Sequence, residues 1–158
     1  MKTSWFLIVF SFLSSSATAA PKDVERRLYI TNPTGINVYD IDHGHQFLRK
    51  IEIPQSGDYK GISASPQLGR LYLTSHVRDE LICLDLATET VLWRKSPGKY
   101  ADSMWTTPDG KRLYLPFRDE SDWKVIDAMD GSVLAAIETE REKQYEVNPI
   151  GSFGPHNT

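Results

Sequence analysis

Arg70-Leu71-Tyr72-Leu73-Thr74 is the stretch that decides the reading, because the chain carries it three times. It occurs earlier as Arg27-Leu28-Tyr29-Ile30-Thr31 and later as Arg112-Leu113-Tyr114-Leu115-Pro116, at spacings of 43 and 42 residues. A second marker follows each copy: Val38-Tyr39-Asp40, Cys83-Leu84-Asp85 and Val125-Ile126-Asp127. A third marker, Ser65-Pro66-Gln67-Leu68-Gly69, precedes the second copy and returns as Thr107-Pro108-Asp109-Gly110-Lys111 before the third. Three markers in one order at one period mean a tandem repeat.

Within a unit the pattern has period two. In the second unit, 61–65 alternates and ends at a proline turn. Residues 70–75 put Leu71 and Leu73 on one face and Tyr72 on the other. Residues 81–86 are nearly all apolar, as a strand covered on both faces requires, and 90–94 follow a turn at Ala87-Thr88-Glu89. The third unit repeats this at 103–107, 111–116, 123–127 and 132–137, with Asp130-Gly131 as its last turn. No window beyond the N-terminal segment spaces apolar residues as a helix does. Four short strands at a period of 42–45 residues predict an all-β chain. Its fold is a partial β-propeller of about three four-stranded antiparallel blades, near 27–54, 58–95 and 100–138, with the start of a fourth at 155–158. An immunoglobulin-like sandwich is the alternative, and it does not require three copies of one motif.

Composition narrows the function. Of 158 residues, 18 are Lys or Arg and 21 Asp or Glu, a net charge of −3 that gives no reason to expect nucleic acid as a partner. One cysteine, Cys83, excludes an intrachain disulfide and an all-cysteine metal site, and its apolar neighbours predict a buried thiol. Residues 1–20 read as a signal peptide: Lys2, an apolar stretch over 5–13, then small residues with Ala17 and Ala19 placing cleavage near Ala19/Ala20. That stretch is too short to span a bilayer, which takes about 20 apolar residues, so no membrane span is expected in the mature chain, 21–158. The expected location is secreted or periplasmic.

The quoted stretches resemble the YVTN-type β-propeller repeat family, whose pattern runs G-V-A-V-S-P-D-G, K-R-L-Y-V-T-N, then V-x-V-I-D-x-x-T-G-x-V-V-A-T-I. The segments 104–115 and 125–137 follow it closely, and Arg27-Leu28-Tyr29-Ile30-Thr31-Asn32 is a near-consensus second strand. The resemblance covers about 27–137. It implies a secreted or periplasmic propeller, typically seven-bladed, of the quinoprotein amine dehydrogenase-like superfamily, in which many members have no assigned reaction. The second unit is also similar to the D-x-x-T-G-x-x-x-W repeat of pyrroloquinoline-quinone enzymes, with Glu89 standing where that repeat has Gly. On that resemblance Trp93 is a docking residue between blades.

In a propeller the innermost strands line the central channel. The lead-ins to those strands supply the candidate ligand residues Tyr59, Lys60, Tyr100, Asp102, His156 and Asn157, with Asp58 and Ser103 beside them. His43-Gly44-His45 falls in the turn before a fourth strand and His76 in a loop, so no metal site is predicted. The run from Glu138 to Lys143 reads as a solvated loop. No nucleophile elbow, H-E-x-x-H, phosphate loop or haem-attachment motif occurs. The leading expectation is a binding scaffold for an unknown protein or small-molecule ligand, without a cofactor. The alternative is part of a propeller enzyme, a quinoprotein-like dehydrogenase or lactonase with its site in the channel. Pyrroloquinoline quinone or a metal enters only under that alternative. Three blades do not close a ring, so the expectation is a fragment of a longer propeller, with further blades or a second copy needed for closure.

Overall fold

The computed structural model describes residues 24–55, 57–118 and 122–139. The signal-peptide reading, His156, Asn157 and the charged run beyond Thr139 lie outside them. Among the described residues there are eleven strands and no helix, hence none long and apolar enough to cross a membrane.

The strands form three antiparallel meanders. The first sheet is β1 (Arg27–Asn32), β2 (Gly35–Asp40) and β3 (Gln46–Glu52). The second is β4 (Tyr59–Ser65), β5 (Arg70–Ser75), β6 (Glu80–Asp85) and β7 (Val91–Lys95). The third is β8 (Trp105–Thr106), β9 (Arg112–Pro116), β10 (Asp122–Asp127) and β11 (Val133–Glu138). These are propeller blades. Two details differ from the sequence reading. The first sheet has three strands among the described residues, not four. The inner strand expected over 103–107 contracts to two residues, because the Ser103 N–H is taken by the Asp102 carboxylate at 2.9 Å and leaves the ladder. Glu138, read as loop, closes β11.

The register explains why the first two markers recur together. In each sheet the repeated Arg and Asp are cross-strand partners: Arg27↔Asp40, Arg70↔Asp85 and Arg112↔Asp127. The Asp then caps the turn that follows. Its Oδ1 accepts from the N–H of Asp42 at 2.9 Å, of Ala87 at 2.9 Å and of Met129 at 2.7 Å in the three sheets. A β-bulge falls at the same repeat position each time, after Val38, Cys83 and Val125, and bends every outer strand alike. The turn leading into the outer strand needs a left-handed residue. Gly131 supplies it at φ 75°, whereas Glu89 adopts φ 58° in the second sheet. The Glu89 carboxylate pairs with Arg49 of the first sheet, an inter-blade contact that glycine cannot make.

Two cores hold the blades face to face. Between the first and second sheets lie Ile36, Val38, Ile51 and Ile53 against Leu71, Leu73, Ile82 and Leu84. Between the second and third lie Tyr72, Leu81 and Cys83 against Leu113, Leu115, Phe117 and Ile126. Leu71 and Leu73 therefore face one neighbour and Tyr72 the other, as the alternation predicts. Each fully buried side chain of this size contributes about 1.5–3 kcal/mol. Trp93 docks as expected: its indole N–H donates to the Met129 carbonyl at 3.0 Å and its ring meets Tyr72 at 6.0 Å.

Cys83 is fully buried, and burial pushes its thiol up to about 11. Iodoacetamide should therefore leave Cys83 unmodified in the folded chain at neutral pH and alkylate it fully in denaturant. Rapid labelling of the folded chain would contradict this placement.

The turn carboxylates carry a pH dependence. The Thr88 N–H, with help from Ala87, holds Asp85 below the usual carboxylate range. The Thr107 hydroxyl and then the Lys111 N–H do the same for Asp109. Ser132 does so for Asp130. Groups whose folded pKa lies below the unfolded value stabilise the fold at higher pH and cease to as pH falls through the folded value. The urea midpoint should be flat above about pH 4, where unfolded Asp titrates, and fall below it. Asp109→Asn should flatten that acid limb.

Candidate functional site

The inner ends of the second and third sheets converge. Gly61 lets them do so: a Cβ there would lie 2.8 Å from the Asp102 carbonyl and 2.9 Å from Thr74 Oγ1. The Thr74 hydroxyl accepts from the Gly61 N–H at 2.7 Å and donates to the Asp102 carbonyl at 2.9 Å, tying the two lead-ins together. One step further out, the hydroxyls of Ser63 and Thr106 meet at 2.6 Å.

The lead-ins are built alike. Asp58 and Tyr100 occupy the same repeat position: the Asp58 carbonyl accepts from His76 N–H at 3.0 Å, and the Tyr100 carbonyl from Arg118 N–H at 3.1 Å. Both are non-glycine residues in the left-handed region, at φ 46° and 55°. Such backbone costs about 1–2 kcal/mol per residue and is found where the surroundings impose it, often at functional sites.

Their side chains gather at one end of the axis. Lys60 Nζ is 3.1 Å from Asp58 Oδ1, and His76 Nδ1 is 3.6 Å from Asp58 Oδ2. The His76 ring lies against Tyr100, centroids 4.9 Å apart. The Tyr100 N–H donates to Asp79 Oδ1 at 2.8 Å, and Arg118 Nη2 approaches Asp102 Oδ2 at 3.6 Å. Lys60, Tyr100 and Asp102 thus share one polar mouth. Tyr59 is placed differently: its ring packs on the core between the first and second sheets, and it lines an open depression of about 390 Å³ with Thr31, Asn32, Pro33 and Asp58. His156 and Asn157 lie outside the described residues.

Reading His76 as an ordinary loop residue missed its part in this cluster, together with Arg118 and Asp79. The repeat held the clue, since His76 and Arg118 are 42 residues apart, one period, each just beyond a second strand. His76 Nε2 is buried and, among the described residues, makes no hydrogen bond. At the opposite end of the blades, His43 Nδ1 lies 3.0 Å from Asp40 Oδ2, and His45 stands exposed in a left-handed turn. Burial pushes Asp40 up, but the bonds from His43 and the Asp42 N–H, with Arg27 nearby, outweigh it and leave the carboxyl below its usual range. Among the described residues no three His, Cys, Asp or Glu side chains are grouped to hold a metal ion.

No protein-family model matches the chain, and no curated protein is similar to it. Solved structures are. Kuenenia stuttgartiensis hydrazine synthase is 18% identical at a TM-score of 0.62, over 72% of this chain and 32% of that one. A chain of a nidogen/laminin complex is 18% identical at 0.60, over 72% of this chain and 43% of that one. Kluyveromyces lactis Hsv2 is 11% identical at 0.56, over 71% and 33%. The chain spans less than half the length of the structures it matches. At these identities the likeness is one of fold, and that fold is the β-propeller.

Proposed function

We propose that this chain is an exported, YVTN-type propeller scaffold that binds a protein or small polar ligand at the axial mouth formed by Asp58, Lys60, His76, Tyr100 and Asp102. The observation that carries the reading is the pair Asp58 and Tyr100, two non-glycine residues at one repeat position, both held left-handed and both displaying side chains at the same opening. A turn with no task there would be served at lower cost by glycine. The buried His76 Nε2 offers a ligand a hydrogen-bonding partner, and Tyr100, 40% exposed, offers a stacking face. The neighbour solved as a nidogen/laminin complex supports a binding role by its own description. Export rests on residues 1–20 and the family on the repeat consensus.

The test is site-directed photo-crosslinking in extract of the source cells. A benzoylphenylalanine at Tyr100 should give a discrete adduct that disappears in Asp58→Asn/Asp102→Asn. The same probe at Met129, exposed at the far end of the blades, should give none. Equal labelling at both positions, or none at Tyr100, would remove the proposal.

A further inference from the structure

Each blade presents two unlike faces, and the chain leaves one of each uncovered. The face that the second sheet turns to the third carries Tyr72, Leu81, Cys83 and Trp93. By register the same positions in the third sheet are Tyr114, Trp123, Val125 and Ala135. Among the described residues nothing packs over that face. Trp105, 44% exposed, stacks on Trp123 at 5.8 Å, and Ile137 is 43% exposed. The opposite kind of face, which the second and third sheets fill with Leu71 and Leu73 or Leu113 and Leu115, corresponds in the first sheet to Leu28 and Ile30. These are 37% and 45% exposed, with Tyr39 and Phe47 alongside, centroids 5.6 Å apart.

Polar side chains repeat the mismatch. At the junction of the second and third sheets, Tyr72 Oη donates to the Ala128 carbonyl at 2.8 Å, and Arg70 donates to the carbonyls of Ala128 and Met129. Arg112 and Tyr114 are the same pair one period on, and among the described residues neither side chain makes a hydrogen bond. The turn positions matching Ala128 and Met129 in the first sheet are Ile41 and Asp42. The junction of the first and second sheets is built differently, with Arg27 on Asp40 at 2.8 Å and Arg49 on Glu89.

We propose that the uncovered face of the third sheet docks on the uncovered face of the first sheet of a second copy of this chain. Arg112 and Tyr114 donate to the Ile41 and Asp42 carbonyls of that copy, so that two copies, head to tail, close a six-bladed ring. The argument is continuity: the new junction extends, residue for residue, the one between the second and third sheets, and the chain carries both halves of it. Head-to-tail contacts close when the rotation per subunit allows, and six blades fall within the four to eight that propellers use.

Sedimentation velocity on the full chain at micromolar concentration tests this, with far-UV circular dichroism confirming the fold of each variant. The wild type should sediment at twice the chain mass. Ile30→Glu and Trp105→Glu, both at positions exposed in the single chain, should each weaken the dimer at least tenfold. Mixing the two variants should restore dimers, because one junction then pairs an intact Trp105 with an intact Ile30. A folded wild-type monomer overturns the proposal and assigns both faces to blades of another polypeptide. A dimer indifferent to either variant, mixing without restoration, or open aggregates of no fixed stoichiometry overturn it as well.

Discussion

Tyr72→Ala should cost about 3–5 kcal/mol, the largest single loss available in this chain. The side chain is fully buried at the centre of the second sheet, against the third-sheet core and the Trp93 ring. Its phenol donates to the Ala128 carbonyl at 2.8 Å, and burial pushes that phenol up to about 12, so it remains a donor at any working pH. Truncation opens a cavity between two blades and removes the contact that seats Trp93. Tyr72→Phe separates the parts, keeping the volume and deleting the donor, and should cost only about 1 kcal/mol. Urea midpoints of the three proteins measure both. A Tyr72→Ala loss below about 1 kcal/mol would mean that the blades do not meet through this ring.

Gly61→Val should be nearly as damaging, at about 2–3 kcal/mol, by overpacking instead of a void. The added Cβ meets two atoms near 2.8–2.9 Å and the Ser103 Cα at 3.0 Å, and two of these three belong to the backbone of the third sheet. Neither can step aside without moving a strand. The substitution should therefore part the inner strands and break the Gly61–Thr74–Asp102 relay, carrying Asp102 away from Lys60 and Tyr100. Crosslinking from Tyr100 should fall with it. Val at Gly69, where nothing lies near the added Cβ, is the control for backbone strain alone, since that residue sits at φ 62°.

The repeat made the architecture legible. Arg-Leu-Tyr and the later Asp recur because they are cross-strand partners and turn caps, so one structural need wrote both markers three times. Strand β5 was read from sequence at its observed bounds, and Trp93 and Cys83 lie where their neighbours implied. Elsewhere pattern failed for identifiable reasons. Asp102 captures the Ser103 N–H, a local competition invisible to periodicity, and β8 shrinks. The bulges after Val38, Cys83 and Val125 leave no compositional trace. The site was half legible. Lys60, Tyr100 and Asp102 were found by position, whereas His76 and Arg118 needed the period applied one residue past the strand ends. The left-handed backbone at Asp58 and Tyr100 cannot be read from residue types that seldom adopt it.

The two-residue length of β8 has a consequence for motion. With only the Ala101↔Phe117 bridge beyond it, the third blade meets the axis through few rungs. Opening there demands far less free energy than opening the mid-blade ladders. Amide exchange would accordingly begin at the hub and reach Leu113 and Leu115 last. A visitor arriving beside Tyr100 finds the most yielding part of a wheel whose spokes are stiff.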